Sequence, residues 1–437
     1  MNERYVAAIE ISSSKIIAAV GTTRGDGNLD IIAVEQETDV EGISYGIIKN
    51  LEETSLCISR LLTRLEQRSA VSPRKIKSVI VGLAGRSLHS VPFEVTLQLP
   101  DETEITEEIL ERLRNQAIHS PIDSSLEVVD AVARSYRVGK IDTSSPKGMV
   151  GNSITAMFDL IVCRPELKRN IKRTITDKLH IDITGFVVTA MATAHLLLTS
   201  DEKQLGCMLV DIGAETTAVS IYKNGALRYF ATLPMGGRNI TRDITSLGVL
   251  EDRAEEMKRT SGNAIPDPKT MHLQINGIKY SDISNLVVAR SEEIMANIIE
   301  QIEYAGLKEI DLGAGIICIG GGSRLQGFCD LLQQELELPV RKGKLPSYVK
   351  VEDQKAMTME LPEVASVLYV GATLSKAECL ETPKTEELPV NGVLPFDDEI
   401  PKEKEEQRPK KGNRFIDRIS RGLTNFFGNP DDDSELI

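Results

Sequence analysis

The sequence predicts an α/β protein built from two similar halves, and two observations carry that reading. Over residues 1–376, short apolar runs of strand character alternate with longer amphipathic stretches of helical period. A strand–turn–strand module near the start then recurs 201 residues further on, which argues for a duplicated fold. At 437 residues the chain has room for two to four domains.

The elements follow in order. Strand character falls at 5–10, 15–21, 29–34, 78–82, 154–163, 206–211, 218–222 and 315–319. Helical character falls at 52–69, 106–119, 164–179, 189–198, 238–247, 250–260 and 282–305. The repeat pairs VAAIEISSSKIIAAVGTTRGDGNLDIIAV with CMLVDIGAETTAVSIYKNGALRYFATL. In each copy an apolar strand ends on an acidic residue, Glu10 or Asp211, before a short turn of small residues and a second apolar strand.

Those turns are suited to phosphate. Ser12, Ser13, Ser14 and Lys15 in the first, and Gly213, Ala214, Thr216 and Thr217 in the second, offer backbone N–H groups and hydroxyls, with a cation at Lys15. Glu10 and Asp211 would hold Mg²⁺ through water, since hard cations prefer oxygen ligands. A third element is an apolar strand running into Gly320, Gly321, Gly322 and Ser323 and then a helix start, where a flat ligand can approach the backbone. Neither G-x-G-x-x-G nor G-x-x-x-x-G-K-[ST] fits this run.

Taken together, two phosphate-type hairpins and a late strand–GGG–helix resemble the actin, heat-shock chaperone and sugar-kinase ATPase superfamily. Within it the chain resembles the FtsA family of bacterial cell-division actins, notably through LGCMLVDIG at 205–213 and YKNGALR at 222–228. The segment AEEMK at 254–258, with Gly262, resembles that family's nucleoside-contacting helix, which makes Glu255 and Lys258 ligands.

The resemblance implies an actin-like ATPase fold binding ATP and Mg²⁺. It divides the chain into a first half (1–83, with 361–380 returning to it), an inserted subdomain typical of the family (84–163), a second half (164–236 and 312–360) and a small subdomain (237–311). It also implies self-assembly into a polymer and a role as adaptor at the division septum. The tubulin-like FtsZ would dock its C-terminal peptide on the small subdomain, near Arg290, and other division proteins would be partners. Glu10 and Ser12 replace the family's usual Asp and Gly, and Ala214 and Glu215 replace Gly. Glu215 adds a carboxylate beside the phosphates, so rapid hydrolysis is not expected; a water oriented by Asp211 or Glu215 is the most the catalytic set offers.

Gly42-Ile43-Ser44-Tyr45-Gly46 matches G-x-S-x-G, but it lacks a preceding strand and a downstream Asp…His module, so it is read as a turn. The six cysteines and five histidines show no metal-ligand spacing, and the cysteines read as core thiols in a reducing compartment. No signal peptide or membrane-spanning run is evident, which predicts a cytoplasmic protein.

A net charge of −14 argues against nucleic acid and, at first sight, against anionic lipid. The C-terminal region revises the second exclusion. Residues 381–412 are Pro-punctuated, highly charged and without apolar period, the composition of a flexible, disordered linker. Residues 413–428 then form an amphipathic helix, followed by an acidic tail at 429–437. At about 100° per residue, Phe415, Ile416, Ile419, Leu423, Phe426 and Phe427 fill roughly a third of the helix circumference. Arg414, Arg418 and Arg421 flank or oppose them, a pattern for lying on the cytoplasmic face of a membrane. Two other readings stay open on the residues: a soluble phosphotransferase of the sugar- or acetate-kinase kind, and a pilus-assembly actin homologue.

Overall fold

A computed structural model describes residues 4–382, apart from 25, 26, 39, 276, 354, 355, 357, 358, 360, 375 and 376. The expected linker from 383 onward, the helix carrying Phe415 and the acidic tail lie outside the described residues.

The first half rests on a six-stranded sheet in the order Asp182–Val188, Ser78–Leu83, Arg4–Ile11, Lys15–Thr23, Leu29–Thr38 and Val349–Val351. Val6 to Ile11 and Ile16 to Val20 are buried without interruption, because helices cover both faces of the sheet. Leu51–Glu66 packs on one side and Pro362–Leu374 on the other. Asn50 caps the former by accepting from the Glu52 and Glu53 N–H groups at 3.1 and 3.2 Å.

The second half repeats this plan. Its strands run Val340–Lys342, Ile316–Ile319, Cys207–Ile212, Thr217–Lys223 and Ala226–Leu233, the same order as Asp182–Val188 through Leu29–Thr38. Directions match as well: the first three are mutually parallel, and the last two are joined as antiparallel hairpins. Duplication is therefore visible strand by strand. Tyr280–Tyr304 covers one face, packing Ile283, Val287, Ile294 and Ile298 into a core with Val219 and Ile221.

Two segments differ from the sequence expectation. Asp182–Val188, expected in the second half, pairs in parallel with Ser78–Leu83 of the first sheet. Val349–Val351, also expected there, pairs with Leu29–Thr38, and the following Asp353 accepts from the Val34 N–H at 3.0 Å and from Arg68 at 2.5 Å. Parallel partners so distant along the chain leave no local sequence signal.

The insertion contains three long antiparallel strands, His89–Glu104, Glu127–Val138 and Val150–Cys163, with Glu107–Ile118 packed against them. Although the chain enters and leaves it from the first half, its sheet continues that of the second half through Ala231 opposite His89. Ser90 Oγ accepts from the Phe230 N–H at 2.9 Å, and Arg134 donates to both Asp159 carboxylate oxygens and to the Arg228 carbonyl. Asp159 is buried, and burial holds its carboxyl above the ordinary value although this fork of hydrogen bonds offsets part of the desolvation.

Candidate nucleotide cleft

The two duplicated hairpins place their turns on the wall of one cavity of about 1030 Å³. Each turn closes with the same hydrogen bond: Ser12 N–H to the Lys15 carbonyl at 3.0 Å, and Gly213 N–H to the Thr216 carbonyl at 2.8 Å. Such four-residue turns sit at the end of a strand pair. Ser12, Ser13, Ser14 and Lys15 line the cavity from one half. Gly213, Ala214 and Thr216 line it from the other, and Gly320, Gly321 and Gly322 complete that side.

Glu10 and Asp211 sit at matching strand ends, and both reach the cavity. Glu10 is buried, and its Oε2 has no hydrogen-bond partner among the described residues. Burial pushes the Glu10 carboxyl up to about 7, against the pull of Lys15 and with the help of Glu363. An unpartnered buried carboxylate oxygen facing a polar cavity, opposite a second carboxylate, fits a hard divalent cation that keeps water in its shell. Among the described residues no cluster of three or more His, Cys, Asp or Glu forms a closed protein cage.

Glu255 and Lys258 also line the cavity, from helix Glu251–Ser261. Lys258 Nζ donates to Glu255 Oε2 at 2.6 Å, to Thr241 Oγ1 at 2.9 Å and to the Gly237 carbonyl at 3.0 Å. Burial lowers the Lys258 ammonium despite its partner, while the Glu255 carboxyl, pushed up by burial, is brought below its ordinary value by Lys258 and Thr241. The pair is held in place before any ligand arrives.

Four expected site residues have other roles. Glu215 is not on the cavity wall: it turns away and accepts from the Tyr45 N–H at 2.7 Å, from Arg242 at 3.0 Å and from Arg238 at 3.2 Å. Burial raises its carboxyl, but these donors bring it below the ordinary value, so it is an occupied acceptor and a poor orienter of water. Thr217 is fully buried behind the turn and donates to the Met235 carbonyl at 2.9 Å. Ser323 donates to the Gly320 carbonyl at 2.7 Å, closing the glycine turn from behind. Arg290 is committed to both Asp243 oxygens, at 2.6 and 3.0 Å, and ties helix Tyr280–Tyr304 to helix Gly237–Thr245.

Sequence reasoning missed Gly236, Gly237, Thr241 and Glu363. A Gly-Gly pair between a strand and a helix was a usable signal. Gly237 N–H donates to the Gly213 carbonyl at 2.9 Å and Arg238 N–H to the Ala214 carbonyl at 2.7 Å, so this helix start buttresses the second turn. A Cβ on Gly236 would lie 2.5 Å from the Gly213 oxygen, which is why the position is glycine. Glu363 had no local signal: the expected return of 361–380 to the first half does not show which of its residues comes near Glu10.

Comparison with known proteins supplies the family. The family model described as cell division protein FtsA matches residues 208–368, and the one described as SHS2 domain inserted in FTSA matches 85–162. The chain is 33% identical over 350 residues to the cell division protein FtsA of Porphyromonas gingivalis, covering 77% of this chain and 71% of that one. It is 28% identical over 371 residues to the Bacillus subtilis protein of that name, covering 82% of each. Among solved structures, the PilM-PilN type IV pilus biogenesis complex aligns with a TM-score of 0.58 at 19% identity, over 84% of this chain and 98% of that one, a likeness of fold alone. With its duplicated sheets, its insertion and these relatives, the chain has an actin-like fold and belongs to the FtsA family of cell-division proteins.

Proposed function

We propose that this chain binds ATP with Mg²⁺ between its two halves, assembles with copies of itself, and tethers the FtsZ ring to the inner face of the cell membrane at the division septum. The observation that carries the nucleotide part is the pair of identically closed turns on one cavity wall, with Glu10 and Asp211 at their roots. In this reading Lys15 and the turn backbones hold the phosphates, Glu255 and Lys258 face the nucleoside, and Glu10 and Asp211 hold Mg²⁺ through water. The metal would neutralise phosphate charge beside the two carboxylates. Asp211 is left as the carboxylate able to orient a water, which supports slow hydrolysis at most.

Tethering rests on residues 413–428, where three Arg against one Asp give +2 beside six large apolar side chains. Burying such side chains fully would contribute roughly 1.5–3 kcal/mol each, but folding and shallow insertion offset much of this. One copy then binds weakly, and a polymer binds through effective concentration. The small subdomain 237–311 is the proposed dock for the FtsZ peptide and contains Arg290. Of the described residues, no helix is long and apolar enough to cross a membrane. Co-sedimentation with vesicles containing anionic phospholipid tests the tether: the full chain should pellet, and the chain lacking 413–437 should stay in solution. Equal pelleting of both would overturn it.

A further inference from the structure

The turn at 42–46, set aside as a false G-x-S-x-G match, occupies a junction that the nucleotide site does not account for. Ile43–Ser44 and Ile47–Ile48 pair as a tiny hairpin whose tip, Tyr45 at φ 50° and Gly46 at φ 75°, is left-handed at both positions. Three backbone polar groups of that tip go to three different parts of the molecule. The Gly46 N–H donates to Ser13 Oγ, in the first phosphate turn, at 2.9 Å. The Tyr45 N–H donates to Glu215 Oε2, in the second phosphate turn, at 2.7 Å. The Tyr45 carbonyl accepts from the Arg86 N–H, at the root of the inserted subdomain, at 3.1 Å.

Packing matches the hydrogen bonds. A Cβ at Gly46 would stand 2.7 Å from Gly85 Cα and 2.8 Å from the Ala84 carbonyl, so hairpin and root are in backbone contact. The Arg86 guanidinium lies over the Tyr45 ring, 5.1 Å from its centroid. Glu215 is itself braced by Arg238 and Arg242, one turn apart on helix Gly237–Thr245.

We propose that the Tyr45 hairpin is a coupling element that transmits occupancy of the cleft to the inserted subdomain, with Glu215 as the positioning residue that fastens it to the second half. This rests on the nucleotide reading of the cleft. Ser13 lines the cavity, and a phosphate that accepts a hydrogen bond from the Ser13 hydroxyl polarises that oxygen and strengthens its bond to the Gly46 N–H. A ligand bridging both turns also holds the second turn, and with it the existing Tyr45 N–H to Glu215 bond, against the first. Both effects tighten the tip, and through the Tyr45 carbonyl they hold Arg86 and the strand that starts at His89.

Amide hydrogen exchange on the full chain tests this, with and without Mg-ATP, beside calorimetric ATP binding. In the native protein Mg-ATP should slow exchange across 84–90 by at least about tenfold. Glu215→Gln keeps an acceptor for the Tyr45 N–H and should preserve most of that slowing. Glu215→Ala should reduce it to less than about twofold while ATP still binds. Should Glu215→Ala fail to fold, Arg242→Ala, at a half-exposed side chain, should cut the slowing to about threefold. Native-like slowing in both Glu215→Ala and Arg242→Ala overturns the coupling, as does ATP binding to the native chain with no slowing at 84–90. No ATP binding to the native chain would overturn the cleft reading and this proposal together.

Discussion

The two phosphate-type turns are copies in backbone and opposites in support. The first, Ser12 to Lys15, is steadied by hydroxyls: Ser12 Oγ donates to the Lys15 carbonyl at 2.9 Å, and Ser13 Oγ accepts from Gly46. The second, Gly213 to Thr216, is steadied by a helix start, whose Gly237 and Arg238 N–H groups reach the Gly213 and Ala214 carbonyls. The carboxylates differ in the same way. Glu10 is buried and pushed up to about 7, whereas Asp211 is partly exposed. Glu215, the extra carboxylate of the second turn, is spent on holding the halves together. Duplication therefore conserves the strand pair and its turn closure, while the surrounding elements decide which turn carries buried charge and which acts as a fastening.

The largest expected effect separates the two acidic residues. The Glu10 carboxyl, ordinarily near 4.5, sits at about 7 in the folded chain. Below 4.5 both folded and unfolded forms are protonated and burial of Glu10 costs no charge. As pH rises towards 7 the unfolded chain ionises first, and stability falls; above 7 the loss is complete, on the order of 3 kcal/mol. Glu10→Gln should therefore flatten the decline in thermal midpoint between pH 5 and 8, measured without Mg²⁺. Parallel native and variant curves would show that the two strand ends are electrostatically equivalent after all.

A smaller effect tests the helix-start support of the second turn. Gly236→Ala puts a Cβ 2.5 Å from the Gly213 carbonyl oxygen and 2.7 Å from that of Ala214, both backbone atoms with little room to move. Overpacking of this kind should cost about 2 kcal/mol in chemical unfolding and weaken ATP binding through the displaced turn. A native-like midpoint would mean that the second turn does not depend on its buttress.

Much of this contrast was legible in the sequence, and the rest was hidden for identifiable reasons. An apolar strand ending on Glu10 or Asp211, followed by small residues and another apolar strand, is a local pattern, so both hairpins and their duplication could be read directly. The glycine run after Ile319 was equally local. The direction of Glu215 was not, since it depends on Arg238 and Arg242 in the next helix and on Tyr45 across the cleft. Their spacing of four residues, which puts both cations on one helix face, was the available clue. Nor could the sequence place Val349–Val351 beside Leu29–Thr38, or dock the insertion on the second half through Ala231 and His89, because those pairings join backbones far apart in the chain.

The central claim is that the opposed turns bind a nucleotide, and calorimetric titration of ATP with Mg²⁺ into the native chain and Lys15→Ala tests it most directly. Lys15 lines the cavity at the end of the first turn, where its ammonium would meet phosphate. The native chain should bind, and the variant should bind roughly tenfold or more weakly, the loss of about 1.4 kcal/mol or more expected for one charge-assisted contact. Equal affinity in the two proteins, or no binding by the native chain, would contradict the account.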